Sequence, residues 1–99
     1  MKVNLQAVNF NAKDELVEFV EEKLGKLDQF YDQIVAADVF LKLDNNNSKE
    51  NKIVEVRLQV PGDDIVVSKD GQTFEEVINL SVDTLKRLVI KKKEKMTKK

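Results

Sequence analysis

From Phe74 onward, apolar residues return at helical spacing for more than four turns: Phe74, Val77, Ile78, Val82, Leu85, Leu88 and Val89, with Ser81 on the same line. Such a stripe cannot stay in water, so the rest of the chain must supply a surface to cover it. Thr73 and Glu76 stand where a capping box requires them, the threonine hydroxyl meeting the orphan amides of the first turn. The helix therefore has a defined start, and everything N-terminal to it is a candidate for its cover.

The cover reads as a sheet and a second helix. Met1, Val3, Leu5 and Ala7 alternate with polar residues, the period of a strand with one buried face. Asn11 and Asp14 approximate a capping box, and Leu16, Phe19, Val20, Leu24 and Leu27 then line one face of a helix interrupted by Gly25. Val39, Leu41 and Leu43 form a second strand, and Asp44 to Lys52 is a polar loop. Val54, Val56, Leu58 and Val60 form a third strand, ended by the Pro61-Gly62 turn. Ile65 to Val67 start a short fourth strand that stops before Asp70 and Gly71. The expected fold is α+β: two layers in the order βαβββα, a four-stranded sheet with both helices packed on one face.

At 99 residues and 41% hydrophobic content, the chain suits a single domain, residues 1–99, with a basic C-terminal tail from about residue 91 to 99. It contains neither cysteine nor histidine. Disulfides, thiolate chemistry, the commonest general base and the commonest transition-metal ligand are thereby removed. The carboxylate pairs Glu21/Glu22, Asp63/Asp64 and Glu75/Glu76 are adjacent in sequence, so their side chains diverge rather than share a site. The glycines are scattered, with no phosphate loop, and "VNFNAKDE" lacks the basic cradle of an acylphosphatase. We expect no enzyme, no cofactor, no metal and no small-molecule substrate. No apolar run suits a membrane span and no leader opens the chain, which points to no membrane partner and a cytoplasmic protein.

Charge carries the positive information. The net charge is −1, yet Lys86 to Lys99 holds +7, leaving −8 on the rest. A split of this kind points to a polyanionic partner for one end of the molecule; the plain alternative is a solvated lysine tail. Arg87, Lys91 and Lys95 fall at four-residue spacing and form one row, flanked by Lys86, Lys92 and Lys93. Lys23 and Lys26 on the first helix join them if the helices pack side by side; otherwise they are a solvated flank. Lysines neutralise phosphate without reading bases, which favours structured RNA bound by shape. Four of the five phenylalanines take core-facing positions, Phe40 has outward parity on its strand, and Tyr31 is a candidate stacking residue.

Two blocks, "LVEFVEEKLGKLDQFYDQI" (Leu16 to Ile34) and "SKDGQTFEEVINLSVDTLKRLVIKKKEKM" (Ser68 to Met96), resemble the ribosome hibernation-promoting factors, also called ribosome-associated inhibitor A or sigma-54 modulation proteins. The resemblance covers essentially the whole chain. It implies a fold similar to double-stranded RNA-binding domains and a partner in the rRNA of the small ribosomal subunit. Binding would occupy the decoding region and messenger channel, inhibiting translation by occlusion in idle or starved cells. In short forms it would favour ribosome dimers. Onto the family's basic positions fall Lys23, Lys26, Arg87, Lys91, Lys93 and Lys95, with Lys86 and Lys92 as additional cations. Thr84 and Glu75 depart from the family pattern at the start of the second helix. The chain ends before the dimerisation domain of the long forms, so ribosome pairing would need help from the ribosome itself or another factor. The alternative function is a general structured-RNA-binding module acting off the ribosome.

Overall fold

The computed structural model describes residues 1–44 and 51–97. Strands β1 (Lys2–Val8), β2 (Ala36–Leu43), β3 (Lys52–Gln59) and β4 (Ile65–Gly71) form one sheet in the order β1-β2-β3-β4. Helix α1 (Asp14–Gly25) and a 3-10 turn (Lys26–Gln29) connect β1 to β2, and helix α2 (Phe74–Thr97) follows β4. The β1–β2 pair is parallel because a helix returns the chain to the same end of the sheet; the other two pairs are antiparallel. This is the expected α+β fold of four strands and two helices.

Alternation sorts the sheet into two faces. Val39 and Leu41 of β2, Val54, Val56 and Leu58 of β3, and Val67 of β4 point inward, where they meet Val20, Leu24, Val77, Ile78, Leu85 and Val89 of the helices. Both helices therefore cover one face. Each fully buried side chain of this size contributes roughly 1.5–3 kcal/mol. Ser81 lies in the α2 stripe at 1% exposure, its hydroxyl satisfied by donating to the Val77 carbonyl at 2.8 Å. On the open face Lys42 pairs with Glu55 across the β2–β3 ladder at 3.0 Å, Arg57 pairs with Asp64 of the β3–β4 turn at 2.9 Å, and Asp38 accepts hydrogen bonds from Asn4 and Gln59, with Phe40 among them as its parity requires.

Several boundaries move. Helix α1 starts at Asp14 with Lys13 as its N-cap, and no side chain caps it: the Lys13 carbonyl takes the Leu16 and Val17 amides at 3.0 and 3.1 Å instead of Asn11 supplying a cap. The threonine half of the second box does form, the Glu76 amide donating to Thr73 Oγ1 at 3.2 Å. The α-helix ends at Gly25, and the 3-10 turn carries Leu27 onward into the core. Strand β2 starts at Ala36 rather than Val39. Strand β4 runs on to Gly71, since ladder pairing with β3 continues to Lys52 although Ser68 and Asp70 face water. Of the polar loop between β2 and β3, residues 45–50 lie outside the described residues.

Candidate nucleic-acid interface

Helix α2 has 24 residues and so extends roughly 36 Å, with its apolar stripe anchored on β3 and β4 and its last turns carrying the cations. The basic stretch beginning at Lys91 is helical through Thr97, so these lysines are mounted on a rigid element; Lys98 and Lys99 lie outside the described residues. Of the eight sequence-derived positions, Lys86, Arg87, Lys91, Lys93 and Lys95 are exposed on α2 and Lys26 is exposed at the start of the 3-10 turn. Lys23 and Lys92 are half-buried.

Successive residues rotate by about 100° around an α-helix, so these cations occupy different sides of α2. Lys86 turns toward the first helix, its Nζ 4.6 Å from the centre of the Phe30 ring just beyond the 3-10 turn. Arg87 points outward, Nη2 donating to Thr84 Oγ1 at 3.4 Å. Lys91, Lys92 and Lys95 turn the other way and, with Leu88 and Ile65, line a shallow recess of about 320 Å³ beside β4. There Lys92 Nζ donates to the Asp63 carbonyl at 3.2 Å, fastening the helix to the β3–β4 turn. The positive surface is thus a band wrapping the exposed side of α2.

Lys23 and Lys26 join that band only at its α1 edge. The helices do pack side by side, but Lys23 Nζ sits 5.4 Å from the Phe19 ring of its own helix. A single groove holding all eight cations does not form, because Lys86 and Lys92 stand six residues apart, about 240° around the helix.

Some residues play parts their spacing did not reveal. Leu88 falls on the apolar stripe in sequence but is 37% exposed, at the margin where α2 leaves the sheet, and becomes the floor of the recess. Tyr31 is 4% exposed within the core, so its ring is no stacking surface. Phe10, Phe19 and Phe30 border the core rather than fill it, and Phe30 serves Lys86 as a cation–π platform. The signal for Phe30 was its place just past the first helix, but nothing in the sequence paired it with residue 86. Among the described residues there is no cluster of acidic residues suited to a metal ion, and no helix is long and apolar enough to cross a membrane.

Comparison with known proteins gives one consistent answer. The family model described as "Sigma 54 modulation protein / S30EA ribosomal protein" matches residues 3–97. A ribosome hibernation promoting factor of Azotobacter vinelandii is 30% identical over 95 residues, covering 96% of this chain and 85% of the relative. The ribosome hibernation promoting factor of Escherichia coli K12 is 32% identical over 96 residues, covering 97% of both chains. Among solved structures, the N-terminal domain of Thermus thermophilus Protein Y superposes with a TM-score of 0.79 at 26% identity, over 92% of this chain and 98% of that one.

Proposed function

The chain belongs to the sigma 54 modulation protein / S30EA ribosomal protein family, and from that premise we propose that it is a translation inhibitor that silences idle ribosomes by binding the small subunit. The observation that carries this reading is the band of cations on the last turns of α2, held on a rigid helix at one end of a molecule whose remainder bears −8. The partner is rRNA of the small subunit, contacted through phosphates by Arg87, Lys91, Lys93 and Lys95, with Lys86, Lys92, Lys23 and Lys26 at the margins. Seated in the decoding region, the domain fills the messenger channel and excludes messenger and tRNA. No bond is made or broken, and no cofactor or small-molecule substrate takes part. The protein acts in the cytoplasm as one module. It favours ribosome dimers, with help from the ribosome itself or another factor.

The test is co-sedimentation with purified small subunits through sucrose at stepped salt. The intact chain pellets with the subunit at moderate salt, and a variant with Arg87, Lys91, Lys93 and Lys95 replaced by alanine stays at the top. If an unrelated RNA duplex competes as well as the subunit does, the protein is a general structured-RNA binder. If the intact chain does not pellet with the small subunit at moderate salt, the ribosome reading is wrong. Dimer formation is read from the same gradients, with and without a stationary-phase extract.

A further inference from the structure

At the other end of α2, away from the cations of its last turns, the first turns of both helices enclose a cleft of about 500 Å³. Its walls are Phe10, Leu16, Phe19 and Phe74, with Glu15 and Glu75 at the rim. Asn9 ends β1 in a left-handed conformation, φ +70°, and the chain it redirects lays Phe10 against Phe74, ring centres 4.9 Å apart and planes 11° from parallel. Phe10, Leu16 and Phe19 remain only partly covered. Both carboxylates are exposed, and no ion pair among the described residues engages either.

We propose that this cleft is a docking site for an arginine-rich polypeptide segment. Aromatic faces next to carboxylates match a side chain with an apolar stem and a planar cationic head. The protein already makes such a contact within itself, Lys23 over Phe19. Four carboxylates in the first turns of the two helices, Glu15 and Glu75 on the lining and Asp14 and Glu76 next to them in sequence, outnumber the two nearby cations, Lys13 on the lining and Lys23 over Phe19. This excess of carboxylates repels a phosphate backbone and draws a polycation, so a polypeptide fits where a nucleic acid does not. Guanidinium is favoured over ammonium because it stacks on aromatic rings and can meet a carboxylate with two parallel hydrogen bonds. From Phe74 to the row Arg87–Lys95 the helix rises roughly 20–30 Å, so both ends of the molecule can be occupied together.

The full chain, labelled with nitrogen-15, is titrated separately with a short alternating arginine–glycine peptide, the matching lysine–glycine peptide and a single-stranded uridine oligonucleotide. Amide shifts at Phe10, Leu16, Phe19 and Phe74 report the cleft. The arginine peptide is expected to move these amides and to bind about 5-fold or more tighter than the lysine peptide. Glu15→Lys with Glu75→Lys should weaken it by about 10-fold or more, and Glu15→Gln with Glu75→Gln by a smaller factor in the same direction. An unchanged thermal melt and retained small-subunit pelleting show that the variants are folded. Equal affinity for both peptides reduces the effect to general acidity and overturns the proposal. So do cleft shifts caused by the oligonucleotide, or no cleft shifts with any probe.

Discussion

At Gly25 an added methyl group meets nothing within 4 Å and φ is −58°, so the backbone already suits any residue. Gly25→Ala is expected to raise stability by about 0.4–1 kcal/mol by narrowing the unfolded ensemble, seen as a rise of several degrees in the thermal midpoint. Gly71 is the opposite case: a Cβ there lies 2.7 Å from Val77 Cγ2, where the start of α2 presses on the end of β4. Gly71→Ala should cost about 1–3 kcal/mol, read as a lower urea midpoint. Asp38 supplies a pH dependence. Its carboxylate accepts hydrogen bonds from Gln59 Nε2 at 2.9 Å and Asn4 Nδ2 at 3.0 Å, which hold its pKa below the ordinary carboxylate value. A pKa lowered by folding contributes stability that is present above the unfolded value, near ~3.9, and is lost as pH falls through the folded one. The stability gap between the native chain and Asp38→Asn should therefore be widest above about pH 5 and close on acidification; a constant gap in urea melts across that range would count against the network.

At the scale of elements, α2 does two things with one sequence. Its first turns bury Phe74, Val77 and Ile78, whereas its last turns hold a charged surface that continues past the sheet. If Arg87, Lys91 and Lys95 each neutralise one phosphate, replacing all three with alanine should reduce the slope of log affinity against log salt by about 2–3. Lys92→Ala should change that slope by less than Lys91→Ala, because the Lys92 ammonium is tied to the Asp63 carbonyl. Salt titrations of small-subunit binding separate the two, and equal changes would make Lys92 a full phosphate contact. Strand β4 shows a different control of element length. The sequence stops this strand before Asp70 and Gly71, yet ladder pairing with β3 continues through both, since an exposed strand face tolerates polar side chains.

The whole molecule is elongated, 49 × 24 × 18 Å, because α2 extends beyond the sheet it covers. Its charges are separated along that length, with acidic residues in the first turns of both helices and lysines in the last turns of α2. A chain with net charge −1 should then behave as a polycation toward surfaces that meet only one end. We expect retention on heparin and on a cation exchanger at neutral pH and low salt, with release at lower salt when Arg87, Lys91, Lys93 and Lys95 are alanine. Flow-through of the intact chain would show that the acidic body screens the basic end.

Periodicity determined which elements form, though not where each one ends: alternation in Val54 to Val60 and the helical stripe from Phe74 to Val89 each permit one way of burying their apolar side chains. The same sequence, through the spacing of Arg87, Lys91 and Lys95, also defined the basic row. Capping was legible where Thr73 reached an amide and misleading at Asn11, where a backbone carbonyl took that part. What tertiary structure decided was which residues from distant elements meet. Phe30 under Lys86, the Asp63 carbonyl on Lys92 and Phe10 against Phe74 all join segments that no local pattern couples. The physical reason is that burial periods are set within an element by backbone geometry, whereas contacts between elements depend on how the apolar faces dock, and that is decided by the packing of the core as a whole.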